Sequence, residues 1–197
     1  MTTVSGTLDV APGFGRDERK MLLILAGCLL IALLLTPLLP DRVAADAVVR
    51  VAVLLLILMG AIDFVTLKVP NLLVYPAIAF VLTATAVIDS GSLPAALLGG
   101  GAALAIMIVL AAIQRGAMGM GDVKVACLIG CILGIKAGTF ALLFGFSVAG
   151  VVALPLVLLG LRSRKDVLPL APFLAIGALI SIQIWGFLLP GNLGLAL

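Results

Sequence analysis

Gly119-Met120-Gly121-Asp122-Val123-Lys124 is a polar hexapeptide between two apolar stretches, and its reading decides the fold. Leu93–Ile113 before it and Val125–Ile135 after it contain no charged residue. The pattern of long apolar run and brief polar break recurs along the chain: 64% of the 197 residues are hydrophobic and 11% charged. A soluble domain averages roughly 45–50% apolar and about 25% charged. A bilayer crossing takes about 20 residues as a helix. Lipid also demands that backbone polar groups be satisfied internally, and unalternating runs favour helices over the ~10-residue alternating strands of a barrel. The expected fold is therefore all-α, a polytopic integral membrane bundle of six to seven transmembrane helices, with seven the preferred count.

Working outward, residues 1–20 read as a disordered tail, rich in Gly, Thr and charge, and residues 21–197 as a single transmembrane domain. Helix 1 is expected over Met21–Pro40. It is too long for a signal-peptide core, and Leu25-Ala26-Gly27-Cys28 is a chance match to a lipoprotein box. After a polar loop, Asp41–Asp46, helix 2 spans Ala47–Ile62 and ends at Asp63. Helix 3 runs from Pro70, whose missing N–H is no loss in a first turn, to Ile88. Asp89–Ser92 is a turn by composition. Helix 4 covers Leu93–Ile113, with Gly99-Gly100-Gly101 permitting close approach of a neighbouring backbone. Helix 5 covers Asp122–Ile135, short for a crossing, and helix 6 covers Thr139–Leu161, with Pro155 expected to kink it. The basic loop Arg162–Asp166 precedes helix 7, Pro169–Leu189.

Counting Lys and Arg with the N-terminus cytoplasmic puts nine inside and three outside (Arg42, Arg50 and Lys136), which supports an N-terminus inside the cell. Helix 2 then descends to Asp63, and two further spans return the chain to Asp122, so both acids reach the cytoplasmic face. The net charge of +3 is accounted for by this topology and makes no case for nucleic acid.

The chain has no histidine. That removes Ser-His-Asp and Cys-His triads, HExxH zinc sites and haem-histidine ligation. Cys28, Cys127 and Cys131 lie in apolar runs. Two thiols at i, i+4 make a poor zinc site, so they read as packing residues, and neither metal nor cofactor is expected.

The two aspartates carry the chemistry. An acid at a membrane boundary, taken alone, reads equally as a loop residue. Asp63, however, follows some sixteen largely apolar residues, where an ionisable group is costly and commonly functional. Asp122 opens a helix behind two glycines, where backbone N–H groups favour a carboxylate. If the bundle brings them together they share a proton, because like charges a few ångströms apart in a low-dielectric site do not both ionise. One then activates a water and the other polarises a scissile carbonyl. Gly119 and Gly121 permit positive φ and let a substrate strand pass close to Asp122.

Ala61-Ile62-Asp63, the Pro70-Asn71 pair, Gly119-Met120-Gly121-Asp122-Val123-Lys124 and Pro169–Gly177 together resemble the type IV prepilin peptidase family of GxGD membrane aspartic proteases. The resemblance implies that Asp63 and Asp122 are the catalytic pair, and that Gly119 and Gly121 shape the site together with Pro70 and Asn71. Lys124 is either a residue that holds or neutralises a carboxylate or a residue that sets topology. The implied substrates are type IV prepilins and pseudopilins, whose basic leader ends in glycine at the cut and precedes an apolar helix. Their processing occurs at the cytoplasmic face of the inner membrane, beside pilus assembly machinery. Larger bacterial members carry paired Cys motifs and an N-methyltransferase activity. This sequence has no CxxC, so it resembles the short Flp (tight-adherence) or archaeal forms, without methyltransferase or S-adenosylmethionine. Other readings are an intramembrane protease of the presenilin kind, a transporter using the acids as a relay, and a catalytically idle assembly factor.

Overall fold

A computed structural model of the chain describes residues 41–66, 69–113, 118–159 and 169–188. The expected helix 1, the N-terminal tail and the basic loop lie outside these residues. Five helices follow in order: α1 (Asp41–Thr66), α2 (Asn71–Ile88), α3 (Leu93–Ile113), α4 (Met120–Leu158) and α5 (Ala171–Leu188). A single 3-10 turn, Ser90–Ser92, joins α2 to α3. Among the described residues no strand occurs, and four helices are long and apolar enough to cross a membrane. The Ala171–Ile184 part of α5 is apolar and shorter.

Most boundaries lie close to expectation. Helix α3 is as read, and α2 begins one residue later, with Pro70 at the N-cap and its carbonyl accepting from Leu73 N at 3.0 Å. In the next turn Asp89 Oδ1 accepts from Gly91 N at 3.0 Å.

Three expectations are corrected. Asp41–Asp46 is the first part of α1, because after Pro40 the segment contains no glycine or proline to interrupt a helix, and polarity alone does not. At the other end α1 continues to Thr66, which places Asp63 within its last turn. Helices 5 and 6 are not separated by a linker at 136–138: the break is Gly134 alone, at φ 69° and ψ −172°.

Gly134 reverses the chain. On a continuous helix Gly130 and Gly138 would be about 12 Å apart, yet a Cβ on Gly138 would lie 3.2 Å from the Gly130 Cα. Helix α4 is thus a hairpin of two limbs, Met120–Leu133 and Ile135–Leu158. The φ of 69° is one that an L side chain rarely adopts.

Lipid supplies no hydrophobic drive between helices, so the bundle depends on close packing. Helix α4 packs against α2, α3 and α5, while α1 packs against α2 and α5. In the α3–α4 seam Gly99 and Gly130 face one another so closely that a Cβ on either would strike the other's carbonyl. Cys131 is buried in this seam beside Gly100, as a packing residue. In the α4–α5 seam Gly145 meets Leu174, Gly177 meets Ala141, and Ser181 Oγ donates to Ala137 O at 2.7 Å. These pairs run in opposite directions along the two helices, so they are antiparallel. The consequence is that the end of α1 and the starts of α2, α4 and α5 gather at one end of the bundle.

Candidate active site

Four elements converge at that end. Asp63, on the last turn of α1, is 4% exposed, and its Oδ2 accepts a hydrogen bond from Ala171 N at 3.3 Å. Ala171 opens α5, so its N–H is one of the first-turn donors a helix cannot satisfy internally. Close approach of α1 to α5 makes the bond possible: a Cβ on Gly60, one turn before Asp63, would lie 2.9 Å from the Pro172 Cα.

Asp122 opens α4. Its backbone N donates to Gly119 O at 3.2 Å, closing the turn that turns its carboxyl inward. Asp63 lies close enough to Asp122 for the two charges to interact, and the Ala171 N–H is taken by the Asp63 carboxyl. Asp122 Oδ1 is buried and has no hydrogen-bond partner among the described residues.

A cleft of about 320 Å³ joins these groups and is lined by Asp63, Val69, Asn71, Gly119, Met120, Gly121, Asp122 and Lys124. Six of the seven residues singled out in the sequence therefore meet here. Pro70 is not among the lining residues and contributes instead the carbonyl that starts α2.

The glycines act differently from expectation. Among the described residues the positive φ belongs to Gly134, not to Gly119 or Gly121. Gly121 already lies in the first turn of α4, where helical geometry sets φ, and what it provides is room: a Cβ there would lie 2.8 Å from Val69 Cβ. Gly121→Val is accordingly expected to displace the start of α4 and with it the Asp122 carboxyl. Hydrogen exchange at residues 119–123, measured beside thermal unfolding in detergent, checks this, since the cleft should suffer before the bundle does.

Lys124 Nζ donates to Asn71 Oδ1 at 2.6 Å and lies 4.8 Å from the centre of the Tyr75 ring. Two contributors escaped the sequence reading. Ala171 acts through its backbone, which carries no side-chain signature. Tyr75 lies within the apolar run of α2, and its spacing of four from Asn71 puts both on one face. Among the described residues no group of three or more His, Cys, Asp or Glu is placed to hold a metal.

Fold and site together define a class: a polytopic helical membrane protein with two carboxyl groups paired in a cleft at one end of its bundle. Residues 50–154 match the type IV leader peptidase family, and the chain belongs to that family. It is 31% identical over 127 residues to a prepilin leader peptidase/N-methyltransferase of Bacillus subtilis (strain 168). That alignment covers 64% of this chain and 51% of the relative, so the chain spans about half the length of the curated relative it matches. No solved structure matches the chain.

Proposed function

We propose that this protein is a membrane aspartic endopeptidase that removes the leader from type IV, Flp-like prepilins and pseudopilins. The observation that carries the reading is the meeting of Asp63 and Asp122 in one cleft, with Asp63 held by the Ala171 N–H. In this reading the pair holds one proton between its carboxyls. The ionised carboxylate takes a proton from a water as it attacks the scissile carbonyl, the protonated partner donates to the carbonyl oxygen, and the leaving amine then recovers a proton from the pair. The step needs no other catalyst.

In this reading the Met21–Pro40 run is a further span and α4 counts as two, so that seven crossings leave the two ends of the chain on opposite faces. The nine-to-three distribution of Lys and Arg supports an active site on the cytoplasmic face of the inner membrane, where it meets prepilins and the pilus assembly machinery. The lack of CxxC in this sequence supports peptidase activity without methylation of the new N-terminus. Mass spectrometry of the processed product with S-adenosylmethionine present tests that point, and a methylated terminus overturns it.

The central test is cleavage of a prepilin with a basic leader ending in glycine, by the full chain in proteoliposomes, against Asp63→Asn and Asp122→Asn. Cleavage lost in each variant supports the proposal, and cleavage that survives in either defeats it.

A bell-shaped pH profile is also expected. Below the acid limb the base is protonated and rate falls; above the basic limb the shared proton is gone and rate falls again. A rate that rises to a plateau through high pH would show that no shared proton is needed.

A further inference from the structure

Asp122 and Lys124 stand two residues apart on α4, a spacing that does not place side chains on one helix face. The Lys124 ammonium is directed instead to α2, where it donates to Asn71 Oδ1 at 2.6 Å and lies over the Tyr75 ring at 4.8 Å. Asn71 and Tyr75 are four apart, so one ammonium engages two residues on a single face of the first turns of α2. Both partners are neutral, so the contact holds position without cancelling charge. On the other side of the same junction, Val69 fills the space that a Gly121 side chain would take. The turn carrying Asp122 is thus held against the start of α2 by Lys124 and against the residue before its cap by the Val69 contact, while Asp63 is held by α5 through Ala171.

We infer that Lys124 and Asn71 form a tether between α4 and α2 that sets the position of Asp122, making Lys124 a positioning residue and not the counter-ion of either carboxylate. The inference rests on the proposed peptidase reading for its effect on rate, but not for the tether itself. Losing the tether frees the first turn of α4 to shift against Asp63. Misplacement of a reacting group by about 1 Å costs on the order of a hundredfold in rate.

The test compares the full chain in proteoliposomes with Lys124→Met, Asn71→Leu, their double variant, and Asn71→Asp, which keeps the accepting oxygen. Each of the first two is expected to lower kcat on the order of a hundredfold with little change in KM. The double variant should be no worse than the worse single one, because both remove the same contact. Asn71→Asp, in which the accepting oxygen remains, should lose less kcat than Asn71→Leu. Hydrogen exchange read by mass spectrometry gives a second measure: amides of residues 119–123 should exchange faster in Lys124→Met and Asn71→Leu but not in Asn71→Asp.

Additive losses, an effect on KM alone, Asn71→Asp as damaged as Asn71→Leu, or unchanged exchange at residues 119–123 would each overturn the tether. Lys124→Met cleaving as well as the unaltered protein would do the same and would leave Lys124 as a topology residue. If Lys124→Met does not fold, the Asn71→Leu and Asn71→Asp pair decides. If the unaltered protein cleaves no prepilin, the peptidase reading fails, and exchange alone decides the tether.

Discussion

Asp122→Asn is expected to reduce prepilin cleavage by about a thousandfold or more, the upper part of what general acid–base groups contribute. The substitution changes almost no volume. The bond from its backbone N to Gly119 O is untouched, so the turn that presents the side chain survives. What is lost is chemical: a carboxamide neither takes a proton from water nor shares one with Asp63. Asp63→Asn should behave alike, because its new carbonyl can still accept from Ala171 N–H while the acid function is gone. The double variant should lose little beyond either single one, since the two groups act as a unit. Unaltered thermal unfolding and membrane insertion beside the lost rate distinguish a chemical defect from a folding one. Cleavage retained at a tenth or more by either variant would place the chemistry elsewhere.

The second large effect concerns stability. Gly99→Ala and Gly101→Ala make the same change two residues apart on α3, and opposite outcomes are expected. A Cβ at residue 101 meets nothing within 4 Å, so that variant should be neutral or gain up to about 1 kcal/mol from the better helix propensity of alanine. A Cβ at residue 99 would run into the Gly130 carbonyl and lie 2.6 Å from the Gly134 Cα, all backbone. No side-chain rotation relieves that clash, so α3 must move away from the α4 hairpin, at about 3 kcal/mol or more. The moved hairpin also carries Asp122, so activity should fall with stability. Unfolding in a mild detergent, followed by the near-ultraviolet signal or by proteolysis, measures the difference. Equal stability of the two variants would show that the seam is looser than its geometry.

Several elements of this architecture were legible before any coordinates. Apolar run length located α2 and α3 to within a residue, because a helix in lipid must keep its backbone bonds internal and ends where polar or turn-forming residues begin. Counting spans placed Asp63 and Asp122 at the same end, and the structure brings them into one cleft. Asn71, Gly119, Gly121 and Lys124 were singled out beside them and line the same space.

Other features were not legible, each for a physical reason. Asp41–Asp46 has loop polarity, but polarity does not stop a helix when no residue opposes its φ and ψ. The apolar runs left residues 136–138 between two helices, whereas reversal needed one residue able to adopt positive φ, and Gly134 was one glycine among several. Gly119 and Gly121 were read for conformational freedom, while the structure uses Gly121 for the space it leaves to Val69.

By itself the sequence determined the class of molecule and its chemical candidates: a helical membrane bundle without histidine, carrying two acids that periodicity and span counting bring to one end. Those are properties of run length and side-chain type, which local order preserves. Only the tertiary structure decided which helices are neighbours, and hence that Ala171 N–H donates to Asp63 and that Lys124 turns to Asn71 instead of to Asp122. Contacts of that kind depend on backbone donors and on small residues meeting across helix seams, and neither leaves a mark in hydropathy or charge.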